Sequence, residues 1–166
     1  MRDVAFADDS TGQVFTRTLQ TTDHAVEEQR VRWQFASSAD AGAESDCPWR
    51  PARTVIPQPS SVGAHWTSSV SCRDATRSGP VERTEESTAD VVRTDSFSIA
   101  GRSTAVYVVK RVSVTRSSGH EQHDAVEDWY APSLGIVVKQ TVESTSPSAA
   151  PFARDSTTEW WIVGPV

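Results

Sequence analysis

The sequence predicts a single domain that is mainly β. Residues alternate with a period of two in three segments, Gln29–Ala36, Ala64–Cys72 and Ser103–Arg116, as expected for strands with one inner and one outer face. Turn signals rich in glycine, proline and serine separate such segments. The chain has 166 residues, enough for one domain with a real core and too few for two. Only one short segment is compatible with a helix.

The first two strands are the most regular. In Gln29–Ala36, the apolar residues Val31, Trp33 and Phe35 fall on one face, and arginines and a glutamine fall on the other. In the second strand, one face carries Ala64, Trp66, Ser68, Val70 and Cys72. Each pattern therefore predicts a strand whose inner face carries a tryptophan.

Two earlier segments are less regular. Thr21–Arg30 permits either a short helix, capped by Thr22 or Asp23, or an acidic hairpin loop, and both interpretations stay open. Cys47–Pro59 contains four prolines, which disfavour a regular helix or a central strand. We expect this segment to cross the sheet as an extended arm, with Trp49 inserted into the core.

Ser103–Arg116 predicts a long strand that follows a hairpin turn at Ala100–Arg102. Val106 and Val108 fall on one face, which Lys110 interrupts. The residues between them are also apolar at the start of the strand, so we expect both faces to be buried there.

The stretch Asp128–Lys139 reads as strand, tight turn and strand. Two aromatic residues close the first strand, and a β-branched run opens the next. Pro132 presets φ for a turn, and Gly135 can adopt a positive φ that a larger side chain would resist. We expect a hairpin of two central strands, with Pro132–Gly135 as its turn.

These elements divide the chain into three stretches of one β-rich domain. Residues 11–144 form the predicted core sheet. Residues 144–151 are rich in serine, proline and alanine and resemble a linker more than an element. Residues 156–164 contain the predicted final strand.

The two cysteines, Cys47 and Cys72, are an even count in a chain rich in serine and threonine. An exported domain would oxidise such a pair, and closing a loop of this size stabilises by about 3 kcal/mol. Two separate buried thiols are the alternative. A zinc site is not predicted, because neither cysteine has C-x-x-C spacing.

Charge and hydropathy limit the classes of partner. The formal net charge is -6, and arginines alternate with acidic residues instead of clustering, so a nucleic-acid partner is not expected. No run approaches the ~20 apolar residues of a transmembrane helix. Arg2–Ser10 is polar and acidic, so no export signal is visible. We nevertheless expect an extracytoplasmic protein whose leader is missing from this chain, because of the cysteines; a cytoplasmic protein is the alternative.

No catalytic motif emerges from the sequence. His120–His123 is one residue shorter than the zinc-protease motif H-E-x-x-H, and it falls where a hairpin tip, not a helix, is expected. The chain has no G-x-S-x-G elbow and no phosphate-binding glycine loop. The neighbouring carboxylates Glu85 and Glu86 read as surface solvation. The sequence therefore predicts no metal, no cofactor and no enzymatic activity.

Three segments carry a resemblance to a known group of proteins. Trp129–Gly135 resembles the C-terminal Trp-Tyr-Ala-Pro-Gly-x-Gly hairpin motif of an exported bacterial family of unknown function, with Ser133 where that motif has its first glycine. Thr94–Arg102 is similar to a strand of the family, and Val62–Trp66 is similar to its opening. The resemblance covers Cys47 to about Ser144. Such domains are similar to half-barrel, lipoprotein-carrier-like proteins.

This resemblance implies a single strongly curved antiparallel sheet, an open half-barrel. We expect a non-enzymatic module of the cell envelope that binds a lipid, a lipoprotein acyl chain or another apolar ligand, or a protein partner, on the concave face. A structural or protein-interaction domain with a self-filled core is the second hypothesis, and a hydrolase-like enzyme is the third. The parity of the strands predicts that the ligand-binding face carries Val31, Trp33, Phe35, Trp66, Val106 and Val108.

Overall fold

The structure is a computed structural model that describes residues 1–7, 14–34, 44–76, 79–99, 101–145 and 156–165. All regular elements in these ranges are strands. No helix in them is long and apolar enough to cross a bilayer. The strands are β1 (Arg2–Ala7), β2 (Val14–Thr21), β3 (Ala25–Gln34), β4 (Glu44–Pro57), β5 (His65–Thr76), β6 (Gly79–Ile99), β7 (Arg102–Ser117), β8 (His120–Ala131), β9 (Ile136–Thr145) and β10 (Ser156–Pro165).

The ten strands form one antiparallel sheet in which neighbours in sequence are neighbours in space. The sheet curls through 269°, which confirms the predicted mainly-β fold with a single curved sheet, an open half-barrel. The strand order nevertheless completes a circuit, because β1 pairs with β2 on one side and with β10 on the other. The junction with the fewest backbone pairs in the described strands is between β4 and β5, where Arg50 and Ser71 are the one paired position. We call this junction the seam.

The segment that permitted either a helix or a hairpin loop is a hairpin. The amide of Thr22 donates to the Ala25 carbonyl at 2.9 Å, and the Thr22 hydroxyl accepts from the Ala25 amide at 3.1 Å. The chain then continues as β3, which pairs with β2 and β4. Thr22 therefore caps a tight turn, and strand pairing on both sides of β3 overrides the weak helical pattern.

The expectation that Cys47–Pro59 is an arm outside the sheet is wrong, because most of this segment belongs to β4. The prolines are accommodated by a bulge: residues 49–52 lie opposite the single residue Gln29, between the pairs Glu28↔Arg53 and Arg30↔Pro48. Pro51 lies in this bulge, where a missing amide hydrogen interrupts no regular ladder. The prolines thus do not exclude a strand, but they help to explain its sparse pairing with β5.

The predicted hairpin at Asp128–Lys139 is confirmed. β8 ends at Ala131 and β9 begins at Ile136, and the two strands pair along their length. The amides of Leu134 and Gly135 both donate to the Ala131 carbonyl, at 3.1 and 2.9 Å. Gly135 has a φ of 67°, the left-handed conformation that the turn requires.

Replacing Gly135 by valine should lower the free energy of unfolding by more than about 1 kcal/mol. The cost comes from φ, because a Cβ at this position would only touch the Thr21 hydroxyl at an ordinary 3.7 Å. Urea denaturation measures the change. Ser133→Val is the control, since Ser133 is exposed in the same turn without a positive φ, and it should change stability by less than about 0.5 kcal/mol. Equal losses in both variants would contradict this explanation.

The interior of the sheet has two different ends. At one end, the β4–β5 connection crosses to distant strands: the Tyr107 hydroxyl donates to the Ser60 carbonyl at 3.0 Å, and Gln58 donates to the Tyr130 hydroxyl at 3.1 Å. Apolar residues such as Val91 pack beneath this connection. The chain itself therefore fills this end, and the opposite end holds a cavity.

Candidate ligand cavity in the sheet interior

A cavity of about 560 Å³ occupies the end of the interior away from the β4–β5 connection. Its lining includes an apolar set and a charged set. The apolar set, here called the apolar wall, is Phe15, Val31, Trp33, Val126 and Val142. Six charged residues that ion pairs connect are called the charged network: Arg17, Glu28, Arg53, Glu85 and Arg111, which line the cavity, and Asp128 behind them.

The apolar wall follows from the alternation of β2 and β3. Phe15 and Trp33 are cross-strand partners, and their rings stack with centroids 4.6 Å apart. Phe6 on β1 stacks on the other side of Phe15 at 4.8 Å. Three neighbouring strands thus contribute one aromatic stack, and such pairs stabilise by about 0.5–1.5 kcal/mol beyond their buried area.

Glu28 is the centre of the charged network and has no exposed surface. Its carboxylate pairs with Arg17, accepts from Arg53 at 2.6 Å and accepts from the Trp49 indole at 2.7 Å. Burial alone would raise the pKa of Glu28, but the two arginines and the indole lower it from 4.5 to about 2. Glu28 is therefore ionised at neutral pH, as a buried carboxylate can be only when it is fully paired.

The other two carboxylates of the network are paired in the same way. Glu85 accepts from Arg53 at 3.0 Å and from Arg111 at 3.1 Å, and these arginines hold its pKa below the usual value although burial raises it. Asp128 accepts from Arg17 at 3.3 Å and from Gln140 at 2.6 Å. Three arginines thus face three carboxylates, and the charges of the network balance.

The seam lies beside the cavity and is closed covalently. Cys47 on β4 and Cys72 on β5 form a disulfide with a Cα–Cα distance of 5.4 Å, as predicted from the sequence. Both cysteines are buried. The disulfide joins the two strands whose backbone ladder has a single pair, so it replaces part of the missing pairing.

Side chains bridge the seam as well. Asp74 on β5 is fully buried, and it accepts from the Asp46 amide at 2.9 Å and from the Ser45 hydroxyl on β4. Arg83 on β6 pairs with the other oxygen of Asp74 at 2.8 Å. Further along, the Trp66 indole donates to the Thr54 carbonyl at 3.3 Å. These bonds satisfy backbone groups that the absent ladder leaves without partners.

The mouth of the cavity is polar and includes His120, Gln122 and Asp124 from the start of β8. His123 belongs to the same strand but points the opposite way, where its ring contacts Glu121 at 2.8 Å. Strand geometry therefore separates the two histidines onto different faces. Among the residues that the structure describes, no group of three histidine, cysteine or acidic side chains could hold a metal ion.

The six residues of the predicted ligand-binding face have different locations. Val31 and Trp33 line the cavity, and Phe35 lies outside the described residues. Trp66 and Val106 pack in or against the apolar core, and Val108 is fully buried outside that core cluster. Of the five that the structure describes, two therefore lie together at the cavity.

The odd-numbered residues of β7 explain this difference. Val109, Arg111 and Ser113 are buried on the inner face, whereas Val112 is 59% exposed. Valines occupy both faces of this strand, so hydrophobicity alone could not identify the inner one. The predicted ligand-binding face consists of even-numbered residues on this strand, so it does not include Arg111.

The charged network is the part of the site that sequence reasoning missed. The prediction that Glu85 and Glu86 are both solvated is wrong for Glu85, which is 6% exposed. The Glu86 side chain is 67% exposed. The sequence did contain a signal for the burial of Glu85. Strand alternation places it on the same face as Ala89 and Val91, which are both buried. Alternation identifies the residues that share a face, but a single charged residue on an otherwise apolar face resembles an exposed residue.

Comparison with known proteins adds no assignment to this geometry. No family model matches the chain, and neither the curated proteins nor the solved structures contain a match. The resemblance to exported half-barrel domains accordingly stays a prediction.

Proposed function

We propose that this protein is a non-enzymatic binding module that holds one amphipathic small molecule in its interior cavity. The observation that carries the proposal is the division of the lining into the apolar wall and the charged network. A volume of about 560 Å³ lies within the ~300–1,000 Å³ typical of small-molecule sites. An apolar body would contact Phe15, Trp33 and Val142, while polar atoms of the ligand would reach the network.

The state of the network favours binding over catalysis. General bases and acids work best with a pKa near the operating pH. The pKa of Glu28 and that of Glu85 are instead lowered, and both carboxylates are occupied by arginines. These groups would stay ionised and paired through the neutral range, which suits a fixed electrostatic surface better than proton transfer.

The disulfide supports an extracytoplasmic location, because reducing compartments do not maintain structural disulfides. We extend this to a secreted or envelope-anchored module, in which a lipid or a lipoprotein acyl chain would be an accessible ligand. Burial of such a chain gains about 0.8 kcal/mol per CH₂ group. A few methylene groups on the apolar wall would then give useful affinity.

One observation favours the alternative of a structural domain with a self-filled core. The chain fills the end of the interior near Tyr107 and Tyr130 with its own β4–β5 connection. That part of the concave face is therefore not open to a ligand. The cavity at the other end is the observation that favours ligand binding over the structural alternative.

Titration with an environment-sensitive fluorescent fatty acid should give saturable binding of one probe per chain. Val142→Trp should weaken it at least about tenfold, because added bulk in a packed site costs about 1–3 kcal/mol. Thr141→Trp is the matched control, since Thr141 is the neighbouring residue on the outer face of β9 and pairs with Glu127 and Glu159. It should leave affinity unchanged. Absence of saturable binding to the unaltered protein would leave only the structural alternative.

A further inference from the structure

We propose that the ligand carries an anionic head group, such as a carboxylate, and that Arg111 is the residue that holds it. This inference rests on the proposed function, since it names the chemical class of the molecule in the same cavity. Within the charged network, hydrogen-bond acceptors and donors differ in how fully they are used.

The two carboxylates of the network that line the cavity, Glu28 and Glu85, are occupied as hydrogen-bond acceptors. Both oxygens of Glu28 are bonded, one to Arg17 and the other to Arg53 and Trp49. Both oxygens of Glu85 accept from Arg53, and one also accepts from Arg111. A ligand that brought only donors would find these carboxylates already satisfied.

The donors are in excess. A guanidinium group has five N–H bonds, and within the described part of the chain Arg111 uses a single nitrogen, Nη1, for its bonds to Glu85 at 3.1 Å and to the Ser113 hydroxyl at 3.3 Å. The cavity therefore presents N–H groups that a hydrogen-bond acceptor would satisfy.

Arg111 pairs with one carboxylate among the described residues, whereas Arg17 and Arg53 each pair with two. Burial lowers the pKa of Arg111, the neighbouring Arg53 lowers it further, and Glu85 and Asp128 only partly offset these effects. For Arg53, by contrast, Glu28 and Glu85 outweigh burial and raise the pKa. An anion beside Arg111 would supply the missing compensation, and a charge-assisted hydrogen bond to a guanidinium is stronger than a neutral one.

Calorimetric titration with dodecanoate and with dodecanol at pH 8 tests the inference, because these probes share a chain and differ in the charge of the head group. We expect the unaltered protein to bind dodecanoate at least about tenfold more tightly than dodecanol. Arg111→Met should abolish this preference and leave the affinity for dodecanol within about twofold. Arg116→Met is the control, since Arg116 is an exposed arginine paired with Glu86 and Glu121, and it should keep the preference.

A second measurement needs no variant and so stands even if Arg111→Met fails to fold. The carboxyl group of bound ¹³C-labelled dodecanoate, titrated by NMR, should have a pKa lower than that of the free acid, because a nearby guanidinium favours the charged form. An unchanged or raised pKa, or equal affinities for the two probes, would overturn the head-group inference while the binding proposal stood. Failure of both probes to bind would overturn the binding proposal as well.

Discussion

Glu28→Gln is expected to lower the free energy of unfolding by about 3–5 kcal/mol, the cost of removing one partner of a buried ion pair. The variant keeps the shape of the side chain but leaves Arg17 and Arg53 with an uncompensated buried charge. Urea denaturation provides the measurement. The control is Glu86→Gln, because Glu86 forms an exposed pair with Arg116 that contributes at most about 1 kcal/mol. Similar stability of both variants would mean that the network is not a structural centre.

The same carboxylate predicts how stability depends on pH. The pKa of Glu28 falls from 4.5 to about 2 on folding, so the folded state binds the proton less tightly than the unfolded state. Its contribution is fully present above about pH 4.5 and is lost as the pH falls towards about 2. Unfolding free energies measured across this range should therefore decrease with falling pH. The decrease should be smaller in Glu28→Gln, and an identical pH profile for both proteins would contradict the low pKa.

Removal of the disulfide is the second change with a large expected effect. Cys47 and Cys72 are separated by 25 positions, and the chain-entropy model gives about 3–4 kcal/mol for a loop of this size. The expected loss of unfolding free energy in a Cys47→Ser, Cys72→Ser double variant is of this order. The structure adds that the loss should be localised at the seam, because Arg50↔Ser71 is the one ladder pair between β4 and β5.

Amide hydrogen exchange can test that localisation. Reduction of the disulfide should speed exchange in β4 and β5 more than in the extensively paired hairpin of β6 and β7. The double serine variant is the control for the reductant and should not respond to it. No acceleration at the seam would show that side-chain bonds such as those of Asp74 suffice to close it. Uniform acceleration along the chain would contradict a local effect of the disulfide.

Much of the fold was predictable because strand alternation and turn chemistry are local. The positive φ of Gly135 and the hairpin around it follow from a few residues, and the bond between Cys47 and Cys72 followed from the number of cysteines and their setting. The path of β4 was not predictable in this way. Its prolines argue against a strand until a bulge opposite Gln29 is available, and only the partner strand reveals that bulge.

The site was less predictable than the fold for a physical reason. Alternation shows which residues share a face, but it does not show which face is inside when each face contains both valines and charges. Arg111 and Glu85 resemble surface residues until strands that are distant in sequence bring Arg53 and Glu28 beside them. Buried charges that compensate one another across a closed sheet have no signature within one strand.

The central claim is that the interior cavity is the ligand site, and photo-crosslinking tests it most directly. A fatty acid with a diazirine in its chain should label the apolar wall on β2, β3 and β9, at or beside Phe15, Trp33 and Val142. Unlabelled dodecanoate should compete with this labelling. Labelling that resists competition, or that maps to the outer face near the exposed Val112, would contradict the claim.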